Sequence, residues 1–420
     1  MTKLKRDRPI TKPNYLKIML SATLGIWFII PIILLKPLKK IYIAPIQTSR
    51  IGHFVLDTEI MLARIHTDEI DAKKNFLVIW VPDPTISNHY VYNIWKQIIH
   101  IVPYSVFSSA ILATAIYLEK LTKIKLTYRF VGWDGYLSYE HLLVDRQAFF
   151  YIPKTDEQEC IKTLQFHGID VNKKWVCILA RDSEYLNRVM PDLKWDFNTY
   201  RNSNINTYKE AAEYLSSKNI LVFRMGTHVG QPFESSKSEL IIDYANSEWR
   251  TEKLDIYLAA KCLFFISSAT GLDSIAFAAR KPVLIVNYAQ PLSILRHQKN
   301  HTFILKKFFS RKENKFLSLN EFYELGVADG FTIDNPKHLR TQDFARLGID
   351  VIDNSSIEIK DATAEMYAFL TDKNDDVKEL SAAQQLFWKK FPDLPGIPKS
   401  ETALSRIGEK FIHQNPWILD

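Results

Sequence analysis

Short apolar bursts alternate along the chain with longer segments of mixed character. "IYIAPI" (41–46), "NFLVIWVP" (75–82) and "IKLTYRFV" (124–131) have strand length. Between them, Leu56, Ile60 and Leu62, and then residues 106–122, carry helical spacing. Such alternation predicts a mainly parallel sheet covered by helices. The pattern breaks over 150–173, where "IPKTDEQECIKTLQFHGID" reads as a linker helix ending at Gly168, and then restarts. "KWVCILA" (174–180), "NILVFRMG" (219–226), "LIIDYA" (240–245), "LFFIS" (263–267) and "PVLIVNY" (282–288) predict strands, and 207–217 and 252–261 predict helices. From about 301 the chain is more charged and less regular, with helices predicted at 357–371 and 380–390. The expected organisation is therefore α/β: a first Rossmann-like domain (41–150), a linker (151–173), a second Rossmann-like domain (174–340) and a helical C-terminal tail (341–420).

Residues 1–40 are a different matter. Ile18 to Leu35 reads "IMLSATLGIWFIIPIILL", a run without a charge, flanked by Lys3, Lys5, Arg6, Arg8, Lys12 and Lys17 before it and Lys36, Lys39 and Lys40 after it. The run is at the lower limit for crossing a hydrocarbon core of about 30 Å. Basic clusters at both ends predict a membrane-associated helix, compatible with a crossing, a dip into one leaflet or an interfacial position. A buried core helix is the plainer alternative.

Composition narrows the partners. A net charge of +7 and a pI near 9.0 favour an anionic partner: nucleic acid, a membrane surface or a phosphate-bearing substrate. Three cysteines without CxxC spacing (Cys160, Cys177, Cys262) exclude a thiolate zinc site and fit a reducing compartment. No GxxxxGK[ST] and no HExxH occurs, no metal cluster is apparent, and no recognised RNA- or DNA-binding motif supports nucleic acid.

Three features of the second half follow strands. Arg181-Asp182 follows "VCILA", Arg224-Met225-Gly226 closes "ILVF", and Ser267-Ser268-Ala269-Thr270-Gly271 follows "LFFI". The carboxyl ends of parallel strands form the ligand edge of such sheets. Guanidinium groups pair bidentately with phosphate oxygens, and a helix start attracts them. Arg201-Asn202, in "TYRNSNINTY", supplies a further cation. In the first half, "SRIGHF" follows the first strand. Gly52 permits a tight turn, and His53 can accept a hydroxyl proton near neutral pH, oriented by Asp57 one turn on. Asp83 and Asp134 are weaker base candidates. Each of these side chains taken singly is also compatible with a local structural role.

These blocks, together with "RIGHF", "RDSEYL", "FRMG", "IIDYANS", "DIYLAAKCLFFISSATGL", "KPVLIVNY" and "GIDVIDNSSIEI", resemble a family of bacterial glycosyltransferases found with surface-polysaccharide synthesis genes. The resemblance covers most of residues 40–420. It implies a GT-B organisation, two Rossmann-like domains facing a cleft, and transfer of a sugar from a nucleotide-sugar donor without a bound metal or other cofactor. The turn at 267–271 resembles the donor turn of heptosyltransferases, which have Asp-Thr-Gly where this chain has Ala269-Thr270-Gly271. Their Gly-Asp pair after the first strand is matched by Gly52-His53. Arg181-Asp182 with "DIYLAAKCLFFISS" resembles GDP-fucose-dependent fucosyltransferases.

The resemblance implies a donor site of Arg181, Asp182, Arg201, Asn202, Arg224, Gly226, Asp243, Ser267, Ser268, Thr270 and Gly271 in the second domain. It implies catalysis by His53 with Asp57, and an acceptor side of Arg50, Gly52, Asn88 and Asp134 in the first, across the cleft from the phosphates. The implied acceptor is a glycan or a lipid-linked surface-polysaccharide acceptor, and the implied location is the cytoplasmic face of the inner membrane, on an anionic leaflet. A non-catalytic nucleotide- or sugar-binding component of a polysaccharide assembly complex is the alternative.

Overall fold

The structure, a computed structural model, describes residues 15–70, 75–130, 135–189, 195–234, 238–327, 339–372, 379–393 and 397–420, with side chains from Gly25 onward, Leu186 apart. The first part of the chain runs α1 (Tyr15–Leu35), β1 (Lys40–Ile46), a π-helical turn (His53–Asp57), α2 (Thr58–Ile65), β2 (Phe76–Pro82), α3 (His89–Ile98), β3 (His100–Ile101) and α4 (Val106–Thr122). Two compact units divide the chain. One comprises 1–49, 65–87 and 95–129; the other comprises 50–64, 88–94 and 130–420. Residues 50–64 and 88–94, which sequence places with the first strands, thus belong to the unit that holds the second half.

In the first unit β1, β2 and β3 form a parallel sheet. The expected strand over 124–131 is reduced to one bridge, Ile43 to Thr127. The reason is local: the Glu119 carboxylate takes the Leu126 N–H, which the next rung to β1 would use, together with the Thr127 N–H. α1 packs on α4 and the sheet, with Ile29 and Ile32 buried beside Ile43, Val81, Ile111, Ala115 and Leu126. At Ile29 and Ile32 the expected membrane helix is therefore also a core element. Among the described residues no helix is long and apolar enough to cross a membrane.

The second unit continues α5 (Lys154–Phe166), β4 (Trp175–Leu179), α6 (Glu184–Val189), α7 (Lys209–Ser217), β5 (Leu221–Arg224), β6 (Ile241–Ile242), α8 (Glu252–Lys261), β7 (Phe264–Ser267), α9 (Asp273–Ala278), β8 (Val283–Tyr288) and β9 (His301–Leu305). Then come β10 (Lys307–Ser310), β11 (Lys315–Phe316), α10 (Leu319–Phe322), α11 (Thr341–Leu347), β12 (Ile349–Ile352), α12 (Ser356–Thr371), α13 (Ala382–Lys390), β13 (Arg406–Ile407) and α14 (Glu409–Gln414). Its main sheet is parallel throughout, in the order β13-β9-β8-β7-β4-β5-β6. β7 and β8 are buried along their whole length, as expected for strands covered on both faces.

The expected helical tail is not a separate element. β13 adds an edge strand beside β9, with Arg406 opposite Thr302. α12 packs on α7, β8 and β9, and β12 closes a small antiparallel sheet with β10 and β11. Asn287 and Asn354 exchange two backbone-to-side-chain hydrogen bonds of 2.6 Å, which fasten the segment after β12 to the end of β8.

Candidate functional site

The site is assembled at the carboxyl ends of β4, β7 and β9. After β7 the chain turns through Ala269, whose φ of 58° is left-handed and disfavoured for a side chain. The turn holds because Asp273, at the start of α9, reaches back. Its Oδ2 accepts from the Ser267 hydroxyl at 2.7 Å and from the Thr270 N–H at 2.8 Å. Sequence reasoning missed Asp273, although the only carboxylate near the turn was the signal to find it. Burial pushes the Asp273 carboxyl up to about 6, against the hydrogen bonds from Ser267 and Thr270 and the charge of Arg201. Free N–H groups at the start of α9 were expected to face a ligand. The Thr270 N–H of the preceding turn is committed to Asp273, and α9 has only six residues, so the full positive charges of the site come from side chains.

Those side chains are Arg181, Arg201 and Arg50. The Arg181 N–H donates to the Ser268 hydroxyl at 2.8 Å, which ties the end of β4 to the turn. Its guanidinium donates to the Asn198 carbonyl at 3.1 Å and to Asn202 Oδ1 at 2.5 Å. Arg201 donates to the Ala269 carbonyl at 3.0 Å and so braces the strained residue. Arg50 is exposed, with its guanidinium 5.8 Å above the ring of Trp195. Burial and then the charge of Arg201 bring Arg181 down to about 9; partial burial and Arg201 also lower Arg50. Among the described residues no carboxylate is within ion-pair distance of these three, though Asp182 acts on Arg181 at longer range.

A fourth cation, Lys306, was not foreseen. It is buried and donates to the Asn202 carbonyl and to Asp353 Oδ1, both at 2.6 Å. Desolvation lowers it, and Arg181 contributes. Nothing in "ILKKFF" marks it, since only the neighbouring of β9 with the 201–202 loop brings it there.

The segment expected across a cleft from this turn lies against it. Gly52 and Gly271 approach so closely that a Cβ on Gly52 would stand 3.1 Å from the Gly271 Cα, and one on Gly271 would stand 2.9 Å from Ile51 Cγ2. A side chain at either position would require the facing segment to shift. The π-helical turn beginning at His53 packs on α9. His53 Nδ1 and Asp57 Oδ2 are 2.8 Å apart, with both side chains partly exposed. An imidazole held through Nδ1 by a carboxylate presents Nε2 as the acceptor. Farther along, Glu59, fully buried, accepts from Arg280 at 2.8 Å and from the N–H groups of Phe149 and Phe150, fixing α2 beside α9.

Other candidates are engaged elsewhere. Arg224 is 2% exposed and donates to Asp243 Oδ1 at 3.0 Å and to the Gln231 carbonyl at 2.8 Å. Asp243 also accepts from the Phe233 N–H and from Asn246. The pair thus holds the loop after Gly226, whose φ is 147°. Asp182 accepts from the N–H groups of Glu184 and Gly230. Asn202 bridges Arg181 and the Ser183 hydroxyl. Asn88 is buried and accepts from the Val91 N–H at 2.8 Å, capping α3. Asp83, in the first unit, accepts from the Ser49 hydroxyl at 2.6 Å. Asp134 lies outside the described residues. Among the described residues no group of three or more His, Cys, Asp or Glu is placed to hold a metal ion.

No protein-family model matches the sequence, and no curated protein matches it. Solved structures do. A family 9 glycosyltransferase from Veillonella parvula is 9% identical at a TM-score of 0.44, over 78% of this chain and 96% of that one. The E. coli ADP-heptose LPS heptosyltransferase II is 11% identical at 0.37, over 63% of this chain and 90% of that one. An iron-containing dodecameric glycosyltransferase from enterotoxigenic E. coli is 15% identical at 0.30, over 58% of each chain. Glycosyltransferases, heptosyltransferases among them, thus stand among the structural neighbours, as the sequence resemblance implied, and so do UDP-N-acetylglucosamine 2-epimerases; with each TM-score below 0.5, what the site can do is taken from its own side chains.

Proposed function

We propose that this chain is a glycosyltransferase that moves a sugar from a nucleotide-sugar donor to a hydroxyl of a surface-polysaccharide acceptor. One observation carries the reading. Arg50, Arg181 and Arg201 come together beside the 267–271 turn and repel one another, with no carboxylate among the described residues within ion-pair distance of them. Holding three like charges together, with Arg181 and Arg201 half-buried, is costly unless an anion joins them. A diphosphate supplies two negative groups and the oxygen pattern that guanidinium forks match.

The His53–Asp57 pair supports transfer rather than binding alone. His53 Nε2 takes the acceptor hydroxyl proton as that oxygen forms a bond to the anomeric carbon. The bond from that carbon to the diphosphate oxygen breaks, and the electron pair leaves with the nucleoside diphosphate. The arginines stabilise the charge that develops there. In this reading no metal takes part, the acceptor is lipid-linked, and α1 holds the enzyme at the cytoplasmic face of an anionic membrane.

The test is a thermal-shift screen of UDP, GDP, ADP and CMP with their sugars, followed by product analysis with the best donor. A ligand that binds the native state raises its apparent stability. Stabilisation by a nucleoside diphosphate, together with donor hydrolysis or transfer that survives chelator, supports the proposal. Stabilisation without turnover selects a binding component, and no response to any nucleotide overturns the reading.

A further inference from the structure

Among the described side chains, the outward faces of α1 and α4 are apolar up to Lys120 near the end of α4. Over Ile26–Leu35 every outward position of α1 is apolar, with Trp27 73% and Leu34 72% exposed. On α4 the inward residues are Ala110, Ile111, Thr114 and Ala115, while Tyr117 is 66% and Leu121 67% exposed. A helix on a water-facing surface ordinarily carries charged residues on that side, and an apolar patch of this kind marks an interaction surface. The two faces are continuous at one point, where the partly exposed rings of Phe28 and Phe107 meet edge to face at 6.0 Å. Gly25 lets the helices approach closely beside Ala110 and Thr114.

The charges at the edge of this surface show what covers it. Lys36, at the end of α1, donates to the Lys125 carbonyl just beyond α4, so the basic ends of both helices meet. Lys40 and Lys125 are paired with Glu69 and Asp68, and Glu119 faces the same end. Lys39, Lys120 and Lys123 are exposed and have no ion pair among the described residues. An apolar face bordered by unpaired lysines complements a lipid monolayer, with acyl chains against the helices and anionic headgroups against the ammonium groups. A second copy of the chain would bring those lysines against their own kind.

We infer that α1 and α4 together form the face by which this protein lies on an anionic lipid surface, with α4 contacting lipid directly. The inference rests on the membrane reading of α1 and extends it to a helix outside the hydrophobic N-terminus.

The experiment uses the full chain and vesicles of phosphatidylcholine with or without one part in three of phosphatidylglycerol. Tyr117→Glu/Leu121→Glu, which leaves α1 intact, should weaken vesicle flotation by about tenfold or more, with the native melting transition and nucleotide response unchanged. As a second reading, Tyr117→Cys can be labelled with an environment-sensitive maleimide, because the three native cysteines are buried. Its emission should shift to the blue on anionic vesicles. Undiminished flotation of the double variant and an unshifted label would overturn the role of α4. The membrane reading of α1 would then stand or fall separately on Trp27→Glu/Leu34→Glu. Flotation equal on neutral and anionic vesicles would overturn the headgroup argument, and a dimer that the double variant splits would assign the face to a second copy.

Discussion

Replacing Arg181 with methionine should leave the unliganded protein almost as stable as before and weaken its hold on a nucleotide diphosphate. The structure supplies both magnitudes. Burial and Arg201 lower the guanidinium from 12.5 to about 9. At 1.36 kcal/mol per unit, this puts roughly 5 kcal/mol of penalty on the charged form. Because the folded-state value is depressed, the penalty is fully present at pH 7 and is relieved only as pH rises from about 9 toward 12.5. Against it stand the hydrogen bonds to Asn198 and Asn202, each worth roughly 1.5–3 kcal/mol with a charged donor. The two nearly cancel, so Arg181→Met should shift unfolding stability by less than about 2 kcal/mol in a urea titration. No such cancellation protects binding. Losing one charge-assisted bond to phosphate costs roughly 1.5–3 kcal/mol, or about 10- to 150-fold in Kd. Calorimetric titration with the best diphosphate from the screen measures this. A folded variant whose Kd stays within twofold would show that Arg181 does not meet the phosphates. A loss of stability above about 4 kcal/mol would show that its bonds to the 198–202 loop are its main role.

Other outcomes follow from the same contacts. His53→Ala should lower turnover by roughly 10²–10⁴-fold while the calorimetric Kd for nucleotide changes little; near-normal turnover at saturating acceptor would remove His53 from the reaction. Arg224→Ala should act on folding, because it takes from the partly exposed Asp243 its guanidinium partner and leaves it with Phe233 and Asn246; a cost of about 1–3 kcal/mol is expected, and a stable variant with weakened nucleotide binding would contradict the structural assignment. The Asp273 carboxyl stands above its ordinary 3.8, at about 6. Since a raised carboxyl disfavours the ionised fold, stability should decline as pH rises between those values. Asp273→Asn should flatten that decline in urea midpoints taken across the interval, and an unchanged slope would place its origin elsewhere.

Much of this architecture was legible in the sequence because it is set locally. Strands buried on both faces need unbroken apolar runs, so "VCIL", "LFFIS" and "PVLIVNY" announce β4, β7 and β8. The four-residue step from His53 to Asp57 puts both on one side of any helical turn, and they do meet. The order of strands also predicts that Arg181 and Ser268 end on one edge. What each polar group does there depends on neighbours far away in the chain, and only the tertiary structure decided that. Arg224 reads like Arg181 from the end of a strand, yet it meets Asp243 beyond the next strand and is buried. Lys306 reaches the site because the end of β9 comes beside the 201–202 loop. Asp273 turns back onto its own loop because Ala269 takes a left-handed conformation. Residues 50–57 lie against the 267–271 turn because two glycines allow the backbones to come close. Periodicity encodes which face of an element is buried; the partner of a charge is fixed by which elements become neighbours, and that is a property of the whole packed chain.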